Sequence, residues 1–230
     1  MRGIIICAVL ACIAIIGSAI LFTLNSSGGG PRVVPMHSSY EQRVADGYWK
    51  KGAEQPKVTF LEYLDFQCVP CRAASPMIDE AYTQTRDFVQ IQNRIYPITL
   101  NHPLALQAAR GAEAAGRQGK YWEMHDNLFV NQPLWEKQSS EAFKGTLDSY
   151  AKAFNLNIEQ FHRDLKDATL DEPIDRDMAM GNKIPLQQTP LFFINGKVVE
   201  TFPANSTELV EILKKAAAEE QVAPGEGITY

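Results

Sequence analysis

Cys68 and Cys71 are the two side chains of this sequence best placed to do chemistry. Only Val69 and Pro70 separate them, and they close a largely apolar run over residues 58–71, VTFLEYLDFQCVPC. Its first seven residues are rich in β-branched and aromatic side chains, the composition of a buried central strand. Beyond Cys71 the pattern becomes helical in composition, with Pro76 expected to kink the helix. Strand, CxxC and helix in that order make the motif meaningful. A cysteine at a helix N-terminus faces unpaired backbone N–H groups and the positive end of the helix dipole, both of which favour a thiolate. Cys68 is therefore expected at the exposed edge as the attacking thiol, and Cys71, one turn in, resolves the mixed disulfide. Pro70 stiffens the turn between them. No histidine stands between the cysteines, so the lowering of the Cys68 pKa is expected to be moderate. Glu62 is the only acid of the strand. If buried, it has a raised pKa and is placed to relay a proton to or from Cys71.

Other uses of the pair fit less well. A closed zinc site needs four ligands. The only other cysteines, Cys7 and Cys12, lie in an apolar N-terminal run, and the four histidines show no ligand-like spacing. No metal is expected. A purely structural Cys68–Cys71 disulfide closes too short a loop to remove much chain entropy.

The elements around the pair can be read in turn. The chain has 230 residues, 45% hydrophobic, enough for one or two domains with a proper core, and its net charge of −5 without a basic run argues against nucleic acid. Residues 3–24 carry no charge and are long enough to span a membrane. An uncleaved anchor is the reading adopted for 1–24, with a cleaved signal peptide or a lipidated Cys12 as alternatives. Arg2 before the span favours the N-terminus inside and the rest outside. Residues 25–53 read as a flexible linker followed by a short amphipathic helix. A strand is expected over 88–98. From His102 to about Thr169 the pattern is helical throughout, with Pro103 in the first turn of a helix and Asn157 capping another. His125 and His162, at helical spacing with aromatics, read as packing or surface residues. Asn195-Gly196 between two apolar runs signals a hairpin, Thr189-Pro190 stands just before it, and a final helix runs over 206–220, capped at Asn205.

Taken together, these pieces resemble the DsbA-like branch of the thioredoxin superfamily over about residues 56–218. The resemblance is carried by Leu64-Asp65-Phe66-Gln67-Cys68-Val69-Pro70-Cys71, by Asn101-His102-Pro103-Leu104-Ala105, and by Thr189-Pro190-Leu191-Phe192-Phe193-Ile194-Asn195-Gly196-Lys197. It implies an α/β thioredoxin-like domain in two parts, 54–98 and 182–220. Between them lies a helical insertion domain, 99–181; a transmembrane helix and linker precede the whole, and a loose tail, 221–230, follows. It implies that Cys68 is the nucleophile and Cys71 the resolving cysteine. Pro190 corresponds to the cis-proline that faces the disulfide, Thr189 to the neighbour that tunes redox behaviour, and Glu62 to the family's buried acid. Val69-Pro70 has the proline of reducing thioredoxins and lacks the histidine of the strongest oxidants.

The function expected is a membrane-anchored thiol:disulfide oxidoreductase on the extracytoplasmic side, using no cofactor beyond its Cys68–Cys71 disulfide. It would donate that disulfide to reduced secreted proteins and be reoxidised by a membrane partner of the DsbB or vitamin K epoxide reductase type. Two alternatives stand beside it: a reductase or isomerase running the same chemistry in reverse, and a tethered peptide-binding or chaperone module without redox turnover.

Overall fold

The apolar run before the cysteines forms the middle of a sheet. The computed structural model of the chain describes residues 33–34, 49–184, 186 and 188–222. In it, β3 (Val58–Leu64) is flanked by β4 (Val89–Ile95), parallel, and by β5 (Leu191–Ile194), antiparallel. With β1 (Val33–Val34), β2 (Trp49–Gly52) and β6 (Lys197–Val199) they make a six-stranded sheet of order β1-β6-β5-β3-β4-β2. Strand side chains alternate between faces, so Val58, Phe60, Glu62 and Leu64 share one side of β3. Val58 and Phe60 there meet Ala74, Ile78 and Ala81 of α1 (Val69–Thr85) and Leu209 and Leu213 of α8 (Ser206–Val222) in one apolar core. Glu62 is thus an acid set in the row that faces the helix of the cysteines.

Between β4 and β5 the chain forms helices: α2 (Ala105–Gly116), α3 (Tyr121–Val130), α4 (Gln132–Trp135), α5 (Ser140–Ala153), α6 (Ile158–Asp164) and α7 (Glu172–Gly181). Their core holds Trp135, Phe143, Phe161 and Leu128, and it is continuous with Phe66, Cys68 and Cys71. One buried ion pair ties α7 to the sheet: Arg94 donates to Asp177 at 2.7 Å, and Asp177 also accepts from the Ile95 N–H.

Several local expectations need correction. Trp49–Gly52, read as the end of an amphipathic helix, is the edge strand β2, pairing antiparallel with β4. Val33 and Val34, read as linker, pair with β6. In both cases an open sheet edge recruits residues whose own spacing does not ask for a strand. The stretch after His102 is a series of helices, as read, and Gly119, with φ 74°, and Asn155, with φ 56°, turn the chain between them. Pro103 is not in a first turn, because α2 is capped at Leu104 and begins at Ala105. The helix α5 starts at Ser140, behind Ser139, whose hydroxyl accepts from the Ala142 N–H. A further helix, α7, follows beyond Thr169, where the pattern of the residues themselves ceases to read as helical. Pro76 lies inside α1 without ending it. The hairpin is as expected, with Asn195 and Gly196 at φ 47° and 74°. Asn157 caps α6 by accepting from the Gln160 N–H. The apolar span of residues 3–24 and the tail beyond Val222 lie outside the described residues. Among the described residues no helix is long and apolar enough to cross a membrane.

Candidate active site

Three segments meet at Cys68. It is the N-cap of α1, delivered by β3. The Thr189–Pro190 peptide, which is cis, comes from the loop before β5 and puts the Thr189 carbonyl 3.2 Å from the Cys68 sulfur. The third segment is α4, from which Gln132 Nε2 donates to the carbonyls of Phe66 and Cys68 at 2.7 and 3.0 Å. Of the residues singled out by sequence, Cys68, Cys71, Glu62, Thr189 and Pro190 gather here, and Val69 and Pro70 sit on the surface above them. Cys68 is not at an exposed edge: it is 5% accessible, because the cis-proline loop and the inserted helices close over it. Cys71 is fully buried, and both are free thiols.

The two sulfurs titrate in opposite directions. The Cys68 thiol is lowered to about 6, chiefly by the hydrogen bond it receives from the Cys71 thiol. Burial opposes this, the Thr189 side chain and the Cys71 backbone amide add to it, and the charge of Asp65 works against it. Thr189 presents two groups to this sulfur. Its carbonyl accepts from the protonated thiol, which favours that form, whereas its hydroxyl, buried and without a partner, is the group able to donate to a thiolate there. Cys71 is raised well above the ordinary thiol range, first by burial, then by the hydrogen bond it gives to Cys68 and by the charge of Glu62. Glu62, 3% exposed, is raised to about 8 by burial first, then by Asp79 and Cys68, with Lys51 pulling the other way.

The loop carrying the nucleophile is fixed by polar residues to which the sequence alone assigned no role. Asp65 is fully buried; it accepts from the Gln67 and Ile98 backbone N–H groups at 2.8 Å each and pairs with His102 Nδ1 at 2.7 Å. Gln67 accepts from the Leu104 N–H and donates to the Glu136 carbonyl. His102 therefore belongs to the site, although its spacing marked only the start of a helix. The only signal available was the Asp65 and His102 pair within the family-like motifs. His125 is also buried, with edge-on contacts to Phe66, Trp122 and Phe129. Among the described residues no group of three or more His, Cys, Asp or Glu side chains is placed to hold a metal ion.

A thiolate-forming cysteine at a helix N-cap, a high-pKa partner three residues on and a cis-proline loop against the sulfur are the parts of a thiol–disulfide exchange centre. A family model described as thioredoxin matches residues 46–215. The chain belongs to the thioredoxin family. Within that family its fold is that of DsbA-like proteins. It is similar to a thioredoxin-like oxidoreductase from Silicibacter pomeroyi DSS-3, at 25% identity and a TM-score of 0.62, over 79% of this chain and 98% of that one. The thiol-disulfide exchange protein alpha-DsbA2 from Wolbachia pipientis shares the fold at 21% identity and a TM-score of 0.63, over 79% and 92% of the two chains. Oxidised BdbD from Bacillus subtilis does so at 23% identity and 0.63, over 74% and 92%. Among curated proteins, the Na(+)/H(+) antiporter NhaA 1 of Salinispora arenicola is 36% identical over 149 residues, 64% of this chain and 21% of the relative. The chain spans about a fifth of the length of such relatives, and the match falls on the thioredoxin-family segment.

Proposed function

We propose that this chain is a protein thiol:disulfide oxidoreductase that works as a disulfide donor. The observation that carries the reading is the asymmetry of the pair: Cys68 at about 6 and Cys71 far above it. A thiolate stabilised in the reduced form makes the corresponding disulfide more oxidising. The Cys68 value lies between the pKa of about 3.5 of a strong oxidant and the value of about 7 of thioredoxin.

In the donor direction a substrate thiolate attacks the Cys68 sulfur of the Cys68–Cys71 disulfide. A substrate–Cys68 disulfide forms, the Cys68–Cys71 bond breaks, and the Cys71 thiolate takes a proton from Glu62. A second substrate thiolate then attacks the substrate sulfur and Cys68 leaves as a thiolate. The substrate loses two electrons and the protein gains them. Cys68, the better leaving group, is the sulfur reached by substrate, and Val69, 49% exposed beside it, offers apolar contact to an unfolded chain. The apolar run of residues 3–24 supports a membrane anchor with this domain on the extracytoplasmic side, and a membrane partner of the DsbB or vitamin K epoxide reductase type would reoxidise it. The antiporter activity of the named relatives is not carried over, because the shared segment is a small part of them.

The test is to add the oxidised full-length chain to a reduced, unfolded protein substrate. The expected result is loss of substrate thiols matched by the appearance of free Cys68 and Cys71. No transfer, with the reverse reaction proceeding instead, would assign the chain to reduction.

A further inference from the structure

Glu62 Oε1, Asn93 Oδ1 and His125 Nε2 are buried polar atoms without a partner. They come from β3, β4 and α3, and all three residues line one small cavity of about 10 Å³, with Lys51, Ser75, Ile78, Asp79, Ile91 and Trp122. A volume of roughly 10–15 Å³ is what one water needs, given two to four polar partners. The other nitrogen of His125 points outward. Its Nδ1 lies 2.7 Å from Asp126 Oδ1, and Asp126, 47% exposed, lines an open groove of about 240 Å³ with Arg72, Ser75 and Phe129. The imidazole thus bridges from the cavity beside Glu62 to solvent.

We infer that His125 is the proton-exchange residue through which Glu62, by way of a water in this cavity, trades protons with solvent. The inference rests on the oxidoreductase reading and extends it to residues the cysteines do not touch. His125 acts through Glu62.

The proton balance closes over a full redox cycle. When the protein is reduced, Cys71 takes the proton of Glu62. The carboxylate recovers one through the water from His125 Nε2–H, while Nδ1 gains one from solvent along Asp126. When the protein is reoxidised, Glu62 passes its proton through the water to Nε2 as Nδ1–H leaves by Asp126, and the carboxylate so formed takes the proton of Cys71. One half-cycle turns the ring from the Nε2–H to the Nδ1–H tautomer, and the other turns it back. The dithiol form described here has Nδ1 on a carboxylate and Nε2 without a partner, the Nδ1–H arrangement expected after reduction.

The surroundings suit this role. The charged groups facing the ring are Glu62 from β3, Lys51 from β2, Asp79 from α1 and Asp126 on its own helix; Lys51 and Asp79 pair with each other at 3.0 Å. Aromatic contacts from Phe66, Tyr121, Trp122 and Phe129, with centroids 5.0–5.9 Å from the ring, hold its plane and exclude bulk water. Glu62, raised to about 8, holds its proton at neutral pH and releases it when Cys71 demands one. A route is needed because Glu62 itself is 3% exposed.

The test uses the full chain with His125→Phe, which keeps an aromatic ring in place, and His125→Gln, which keeps a polar atom. Oxidation and reduction by the glutathione couple are followed by stopped-flow tryptophan fluorescence from pH 5 to 9, alongside the equilibrium potential. Both variants are expected to slow the step in which Cys71 changes protonation by about tenfold, below the 10²–10⁴ of a directly acting acid–base group. The potential should hold, and His125→Phe should slow nothing further once Glu62 is Gln. His125→Ala should recover rate when free imidazole is added, which a packing defect would not do. Wild-type rates and pH profiles in both Phe and Gln variants would overturn the inference and leave the oxidoreductase reading standing. So would an equal slowing in the Glu62→Gln background, or no recovery with imidazole. A wild-type chain that forms no Cys68–Cys71 disulfide would overturn the oxidoreductase reading, and the inference with it.

Discussion

Cys68 and Cys71 have the same side chain, lie three residues apart and are both buried, yet one is pushed toward the thiolate and the other away from it. The difference comes from what each sulfur faces. Cys68 sits at the helix N-cap, receives the Cys71 S–H and meets the Thr189 hydroxyl. Cys71 lies one turn deeper, gives its proton to that hydrogen bond and faces Glu62. The sheet sets this contrast, because the row of β3 that points at α1 carries an acid where Val58 and Phe60 of the same row carry carbon. Burial alone would raise both thiols; the hydrogen bonds separate them.

Breaking the pair gives the largest effects. Cys68→Ser should bring disulfide exchange to background, whereas Cys71→Ser, offered a disulfide-bonded substrate, should attack it through Cys68 and accumulate a substrate–Cys68 mixed disulfide, visible as a shifted band on a non-reducing gel. Equal loss without trapping in both variants would contradict the division of roles.

Asp177→Ala is the control for burial without redox purpose. Removing one partner of the buried Arg94–Asp177 pair should cost about 3–5 kcal/mol in urea unfolding, yet leave the alkylation midpoint of Cys68 in place. A shift in that midpoint would mean that the two regions are coupled.

Glu62→Gln sharpens the contrast by removing the acid beneath Cys71. The folded-state pKa of Glu62, about 8, lies above the ordinary 4.5. The fold therefore favours the protonated acid: its contribution is whole below pH 4.5 and is lost as the pH rises through about 8. The variant should be more stable than the wild type at pH 8–9 by about 4–5 kcal/mol, with the difference shrinking toward pH 4, and its Cys71 step should be slower. A wild-type stability curve flat between pH 5 and 8 would refute the buried acid.

The smallest effect is expected from Thr189→Val, which deletes the hydroxyl and keeps the shape. The iodoacetamide reactivity of reduced wild type should titrate with a midpoint of about 6, and the variant's midpoint should move up toward 7. Because the Cys68 pKa is depressed from 9.0, its contribution to the reduced fold is full above that value and is lost as the pH falls through about 6. The variant should flatten this window.

What the sequence disclosed was local. The strand before the cysteines, the hairpin at Asn195-Gly196, the cap at Asn157 and the isolation of Glu62 all follow from neighbours in the chain. What it withheld depends on distant partners. β1 and β2 are strands because sheet edges wait for them. His102 joins the site because Asp65, 37 residues away, is buried without another side-chain partner, and Gln132 reaches Cys68 across 64 residues. His125 sits at the spacing of a packing residue and does pack; only the unpartnered Nε2 and the cavity beside it separate it from one. Cys68 is buried rather than exposed because the cover comes from the inserted helices and the loop at Thr189, which no local pattern near residue 68 announces.

The central claim is that stabilisation of the Cys68 thiolate makes the disulfide a donor. The most direct measurement is the redox equilibrium of the full chain in glutathione buffers at pH 7. The account predicts a potential between about −120 and −200 mV, on the oxidising side of the thioredoxin scale. A value near −270 mV, where thioredoxin lies, would contradict it and make this site a reductant.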